Sequence, residues 1–216
     1  MNILVSYGSK YGTTKRYARW IAEELACDLA DSREVSVEKL KSYDVIIHGG
    51  GLYAGGLCGI HTIVKNFDAI ADKQIILFSC GLADPEDPEN VAHIEAGLEK
   101  VLTPEMRGKI KQFHLRGGID YSRLGLKHKA MMAMLRSVML KKGYNNLRGE
   151  DQMMLDTYSG TVDFTSRESL APPAQLCSLP SITEHGAPIG APCLYNNSPM
   201  DTYVQPNRPT WAVMPR

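Results

Sequence analysis

The chain has no excess of either charge. Its 24 Lys and Arg balance 24 Asp and Glu, so the formal net charge is zero. No global field draws it toward nucleic acid or a strongly acidic docking protein. Paired cysteine spacing is missing too. The five cysteines (Cys27, Cys58, Cys80, Cys177, Cys193) are odd in number and contain no CxxC. That argues against a disulfide framework or a zinc site and for reduced thiols in a cytoplasmic protein. No secretory leader is expected, because Met1 runs straight into a strand pattern. A membrane-spanning run is lacking as well. Residues 45–64 are uncharged and long enough to raise the question. Their six glycines and two histidines divide them into a strand, a ligand loop and a helix start.

At 216 residues the chain suits one ordinary domain, or a domain with an appendage. Its first twenty residues carry most of the information. Asn2–Tyr7 reads as a short buried strand and leads directly into Gly8-Ser9-Lys10-Tyr11-Gly12-Thr13-Thr14. A helical pattern follows, with Tyr17, Ala18, Ile21, Ala22 and Leu25 on one face. Strand, hydroxyl- and glycine-rich loop, then helix start make a phosphate cradle. The first N–H groups of a helix lack intrahelical acceptors, and the helix dipole adds positive potential there. Ser9, Thr13 and Thr14 offer hydroxyls, and Gly12 admits close backbone approach.

Rival phosphate motifs fit less well. A Walker loop needs GxxxxGK[ST]; here Gly8 and Gly12 stand one residue too close, and Thr13 occupies the lysine position. A GxGxxA string does occur at Gly49–Ala54, with Asp68 downstream. It follows an interior strand instead of opening the fold, which argues against a dinucleotide site.

Apolar runs alternate with helical patterns along the chain, predicting an α/β fold with a parallel sheet covered on both faces. Strands are expected at 3–7, 28–30, 45–49, 74–80 and 110–117. Helices are expected at 13–26, 59–71, 88–102 and 124–142, with another opening at 163–170 and capped by Thr165 or Ser166. Five strands with alternating helices predict a flavodoxin-like doubly wound sheet, whose ligand sits beyond the C-terminal strand ends. After Ala171 the composition breaks. Residues 172–216 hold nine of the twelve prolines and no lysine. The chain therefore divides into a domain over 1–170 and an irregular proline-rich tail over 171–216. The tail is either an extended arm or non-homologous sequence that truncates the last helix.

Two later loops should meet whatever the cradle holds. One is Gly51-Leu52-Tyr53-Ala54-Gly55, where an aromatic flanked by glycines suits a flat ring. The other is Ser79-Cys80-Gly81-Leu82, small and rich in accessible amides. Ordinary packing in a glycine turn is the alternative for Tyr53. Cys80 reads as a small buried residue and not as a redox thiol. Tyr53 and His61 lie near the expected ring, but no residue is assigned proton work. Within 110–148 the only acid, Asp120, faces a run of lysines and arginines. There Leu126, Met131, Met134, Leu135, Val138 and Met139 form an apolar stripe, with Lys127, Lys129, Arg136, Lys141 and Lys142 beside it. Either this helix packs on the sheet with a solvated basic side, or it faces anionic lipid or an acidic substrate.

These pieces resemble a known family. Ser9–Thr14 resembles the flavodoxin phosphate loop [ST]-x-[TS]-G-x-T, with Tyr11 where a hydroxyl residue is usual. Together with Val45–Gly55, Phe78–Leu82 and Arg116–Ser122 leading into the Met-rich helix, residues 1 to about 170 resemble the flavodoxin superfamily. Within it they are most like the flavodoxin-like protoporphyrinogen oxidases, which carry an extra segment after the fifth strand. The resemblance implies bound FMN, a porphyrinogen-like electron donor, a quinone acceptor at the inner face of a membrane, and no nucleic acid. A flavodoxin that only shuttles electrons between redox proteins is the alternative. The final helix departs from the family pattern where it dissolves into proline-rich sequence.

Overall fold

In a computed structural model of the chain, which describes residues 1–53 and 56–170, the five expected strands pair in parallel. The strands are β1 (Ile3–Gly8), β2 (Asp28–Asp31), β3 (Val45–Tyr53), β4 (Gly56–Leu57), β5 (Gln74–Gly81), β6 (Ile110–Arg116), β7 (Gly118–Asp120) and β8 (Thr161–Asp163). The helices are α1 (Thr13–Leu25), α2 (Val37–Lys41), α3 (His61–Val64), α4 (Phe67–Ile70), α5 (Pro88–Leu98), α6 (Pro104–Lys109), α7 (Leu126–Lys142) and α8 (Gly149–Asp156). The main sheet runs β2-β1-β3-β5-β6, all parallel, with β4 folded back antiparallel on β3. The chain leaves β1 toward β2 and then returns to the other side of β1 as β3. That reversal is the switch point at which such sheets hold ligands.

Strand residues alternate between two buried cores, because successive side chains point to opposite faces. Leu4, Ile46, Ile75 and Leu77 join Leu40, Ile63, Phe67, Ile70 and Leu98 on one face. Val5, Ile47, Ile76 and Phe78 join Tyr17, Ala18 and Ile21 of α1 on the other. Burial on both faces explains why these strands read as continuous apolar runs.

The predicted helix over 59–71 is two short ones. At Asn66 the side-chain Nδ2 donates to the Thr62 carbonyl, and the backbone N–H bonds the Ile63 carbonyl, so the α ladder breaks there. β3 continues to Tyr53, past the expected end at Gly49. Its glycines are strand residues that let neighbours close in. A Cβ on Gly49 would lie 2.0 Å from the Phe78 ring, and one on Gly50 would lie 2.3 Å from Leu57. With no helix following them, they open no dinucleotide-binding turn. The helix expected at 163–170 is replaced by the end of β8 and a turn in which Ser166 Oγ accepts from Glu168 N. The proline-rich stretch 171–216, with both of its readings, lies outside the described residues.

After β6 the chain adds 118–163. β7 and β8 pair antiparallel and enclose α7 and α8. This segment has its own small apolar cluster, centred on Tyr121, Leu124 and Met132. Of the expected α7 stripe only Met139 is buried. Leu126, Met131, Met134, Leu135 and Val138 are exposed. The helix is held to the body by Met132 and Met139, so the stripe faces solvent and not the sheet.

Candidate functional site

β1, β3 and β5 end side by side, with Gly8 opposite Gly50 and Gly51 opposite Cys80. The register brings all three expected loops to one edge of the sheet. α1 is preceded by Gly12, its N-cap, whose φ of 100° is in the left-handed region and whose Cβ position is open space. The helix has no side-chain cap and no acid in its first turn. Its first N–H groups therefore remain for an anion. Ser9 Oγ accepts from the Gly12 N–H at 3.1 Å, which leaves its own hydrogen free to donate. The cradle thus offers amides, a hydroxyl and helix-dipole potential without an arginine. This donor set fits a phosphate monoester such as that of FMN.

Thr14, at the start of α1, is buried. Burial pushes Cys80 up to about 12, which keeps it a thiol at neutral pH and matches the reading of a small buried residue. Ser79 is buried as well, with Oγ 2.8 Å from His114 Nδ1 on β6. What this loop presents is Gly81 at the end of β5 and Leu82 beyond it. Arg116 braces it, donating from Nε to the Leu82 carbonyl at 3.2 Å and pairing with Asp84 at 2.8 Å.

Tyr53 lies across the opening. Its ring covers Gly51, where a Cβ would come within 2.7–2.9 Å of it, and its hydroxyl accepts from the Lys10 N–H at 3.2 Å. Lys10 Nζ sits 5.2 Å from the ring centroid. Tyr11 meets Tyr53 edge-on at 5.8 Å. Desolvation raises the Tyr53 pKa, so the phenol stays neutral. Leu52 contributes to an adjoining cavity, while Ala54 and Gly55 fall outside the described residues.

Sequence reasoning missed His128. Its ring lies parallel to Tyr53, 7° apart with centroids at 5.6 Å, and its Nδ1 hydrogen-bonds the Tyr11 hydroxyl. Nothing in the periodicity of α7 marks His128, since only the fold carries that helix over the first loop. His61, the histidine expected near the ring, is exposed and opens α3. Below the cradle His48 is fully buried, and burial drops its pKa to about 4. Its Nε2 lies 3.3 Å from the Cys58 carbonyl, which can only accept, so Nε2 carries the proton and Nδ1 accepts from Ser6 Oγ at 2.8 Å. That carbonyl packs where a Gly8 side chain would otherwise be. His48 therefore supports the floor of the site.

A profile of the family described as Flavodoxin domain matches residues 4–146. Among solved structures the chain is similar to oxidised flavodoxin 2 from Bacillus cereus at 22% identity. That match covers 54% of this chain and 86% of the other, with a TM-score of 0.36. It is also similar to a WrbA-like flavodoxin from Agrobacterium tumefaciens (23% identity, 49% and 84% covered, TM-score 0.34). A third is an NADH:FMN oxidoreductase, EMOB, in apo form (16% identity, 53% and 75% covered, TM-score 0.40). No curated protein sequence matches the chain.

Proposed function

The chain belongs to the flavodoxin domain family, an FMN-binding fold, and from that premise we propose an oxidoreductase that takes electrons from a porphyrinogen-like donor and reduces a quinone. Each turnover removes two electrons and two protons from the donor and delivers two of each to the quinone, giving the quinol. FMN, when bound, supplies the redox chemistry. The chain's residues do the rest. Ser9, Lys10, Tyr11, Gly12 and Thr13 hold the phosphate on amides and hydroxyls, with Thr14 packing the helix start beneath them. Leu52, Tyr53, Gly81 and Leu82 line the ring's place. His128, with Nδ1 engaged by Tyr11, has Nε2 available to hold a proton.

One observation favours an enzyme over a pure carrier. The segment after β6 brings α7 over the first loop and borders a cavity of about 560 Å³ that shares Leu52 and Leu82 with the ring-facing loops. A carrier has no use for a small-molecule cavity beside its cofactor. Membrane contact suits a quinone acceptor. Lys127, Met131, Met134, Val138 and Lys141 recur at helical spacing along one line of α7, with exposed apolar residues between lysines. Such a strip fits an anionic lipid surface.

Two experiments test the reading. Gly12→Asp places a fixed negative charge in the cradle, and FMN affinity should fall more than tenfold, on the order of a lost helix-terminus anion site, with circular dichroism unchanged. Unchanged affinity would remove the cradle assignment. In the second, the FMN-loaded protein is mixed anaerobically with protoporphyrinogen and then with a menaquinone analogue. Bleaching of the flavin by the first and recovery with the second are expected. If neither reacts while a protein reductase bleaches the flavin, the chain is an electron carrier.

A further inference from the structure

The segment added after β6 meets the first loop through one hydrogen-bonded pair, Tyr11 and His128. The Gly125 N–H donates to the Tyr11 hydroxyl oxygen at 3.3 Å, so the phenol keeps its own hydrogen to donate. That hydrogen goes to His128 Nδ1, and the neutral imidazole then carries its proton on Nε2. A phenol accepts as well as it donates. A second proton, at Nδ1, therefore reverses the bond instead of breaking it, and half-buried Tyr11 turns its hydrogen to water. The pair keeps its geometry with His128 neutral or charged.

Other histidines around the cradle are not placed to change charge there. Burial lowers the pKa of His48 beneath the cradle and of His114, which Ser79 holds on β6. His61 is exposed on α3. His128 is half-buried, with its ring parallel to Tyr53 and edge-on to Tyr11 at 5.6 Å. It thus meets both the phosphate loop and the ring-facing end of β3. The charged and titratable groups around it are Lys10 and Tyr11 of the first loop, Tyr53 of β3, and Lys127 and Lys129 of its own helix. Asp120, the only acid within 110–148, is engaged by Ser122.

Electrons arriving on a bound flavin bring negative charge to the mouth of this cradle, and opposite charge nearby favours a protonated imidazole. We propose that His128 holds a proton for the flavin site, taking it up at Nδ1 when bound FMN is reduced and releasing it on reoxidation, with Tyr11 as its partner in both states. Two electrons enter the flavin with one proton, and a second proton from solvent stays on His128. The site then gains two electrons and two protons in all. This role rests on the placement of FMN proposed above and not on the identity of donor or acceptor.

The midpoint potential of FMN bound to the full chain is measured against pH by anaerobic dithionite titration, for wild type, His128→Asn and His61→Asn. Asparagine keeps an oxygen to accept from Tyr11 but cannot take the proton. Within about pH 5 to 8, where histidines change charge, the wild-type potential should fall more steeply than that of His128→Asn. The excess is a further tenfold in the two-electron equilibrium per pH unit, about 30 mV. His61→Asn should follow wild type. His128→Gln, which favours helix more than asparagine does, should reproduce the shallower curve. At fixed pH in that window, the His128 ring resonances should show the added proton on reduction. Parallel curves for wild type and both His128 variants, the same loss in His61→Asn, or unchanged ring resonances overturn the proposal. Unchanged FMN affinity in Gly12→Asp removes the cradle reading alone, and the His128 curves still decide where the proton is held.

Discussion

The parallel sheet and the segment added after it solve the problem of holding a chain in place differently. In the sheet, β1, β3 and β5 bury side chains on both faces, and Leu4, Ile46, Ile47, Ile76 and Phe78 are essentially inaccessible. In 118–163 the buried set shrinks to a few residues around Tyr121, Leu124 and Met132, and most apolar residues of α7 stay in solvent. Stability therefore resides in the sheet, along with the cradle that depends on its register. The added segment supplies His128 and the exposed strip of α7, and its own small cluster is built on Tyr121.

Substitutions in the two regions should separate these roles. Phe78→Ala removes a ring packed on Gly49 and against Phe113 at 5.5 Å. It should cost about 3–5 kcal/mol, read as a large drop in the urea midpoint. A smaller loss would mean that the sheet's upper core repacks. A pH change acts on the same half. The unfolded His48 titrates near 6.5 and the folded one at about 4. The unfolded state binds the extra proton between those values, so stability is complete above about pH 6.5 and declines as pH falls toward 4. The full loss is about 3 kcal/mol. Urea titrations at pH 7 and pH 5 should show this decline, and His48→Gln should remove most of the difference. Smallest in stability is Met134→Glu on α7, which should shift unfolding by no more than about 0.5 kcal/mol. It should nevertheless abolish co-sedimentation with anionic vesicles. Retained vesicle binding would detach the exposed strip from membranes.

The sheet was legible because burial on both faces writes itself as contiguous Ile, Leu and Val, and four of the five parallel strands end within a residue of expectation. β3 was read too short, since Gly49–Gly51 look like a loop until Phe78 and Leu57 are seen occupying the missing side chains' space. The strand, loop and helix start around Ser9–Thr14 were legible from local order alone. The burial of Thr14 was not legible locally, because it depends on elements far away in sequence. His128 and Arg116 were invisible for the same reason: each acts through a contact that only the tertiary fold creates. The α7 stripe was visible as a pattern, but not whether it faces the sheet or solvent, as helical periodicity is the same in both cases.

The strand order also bears on how the molecule behaves among copies of itself. An open sheet leaves two edges whose unpaired amides and carbonyls can recruit another chain. Among the described residues one edge is β2, four residues long with an aspartate at each end, and the other, β6, keeps Lys111 in water. The apolar central strands that could stack into aggregates are the ones enclosed on both sides. Colloidal stability in a chain of zero net charge thus depends on which strands were placed outermost.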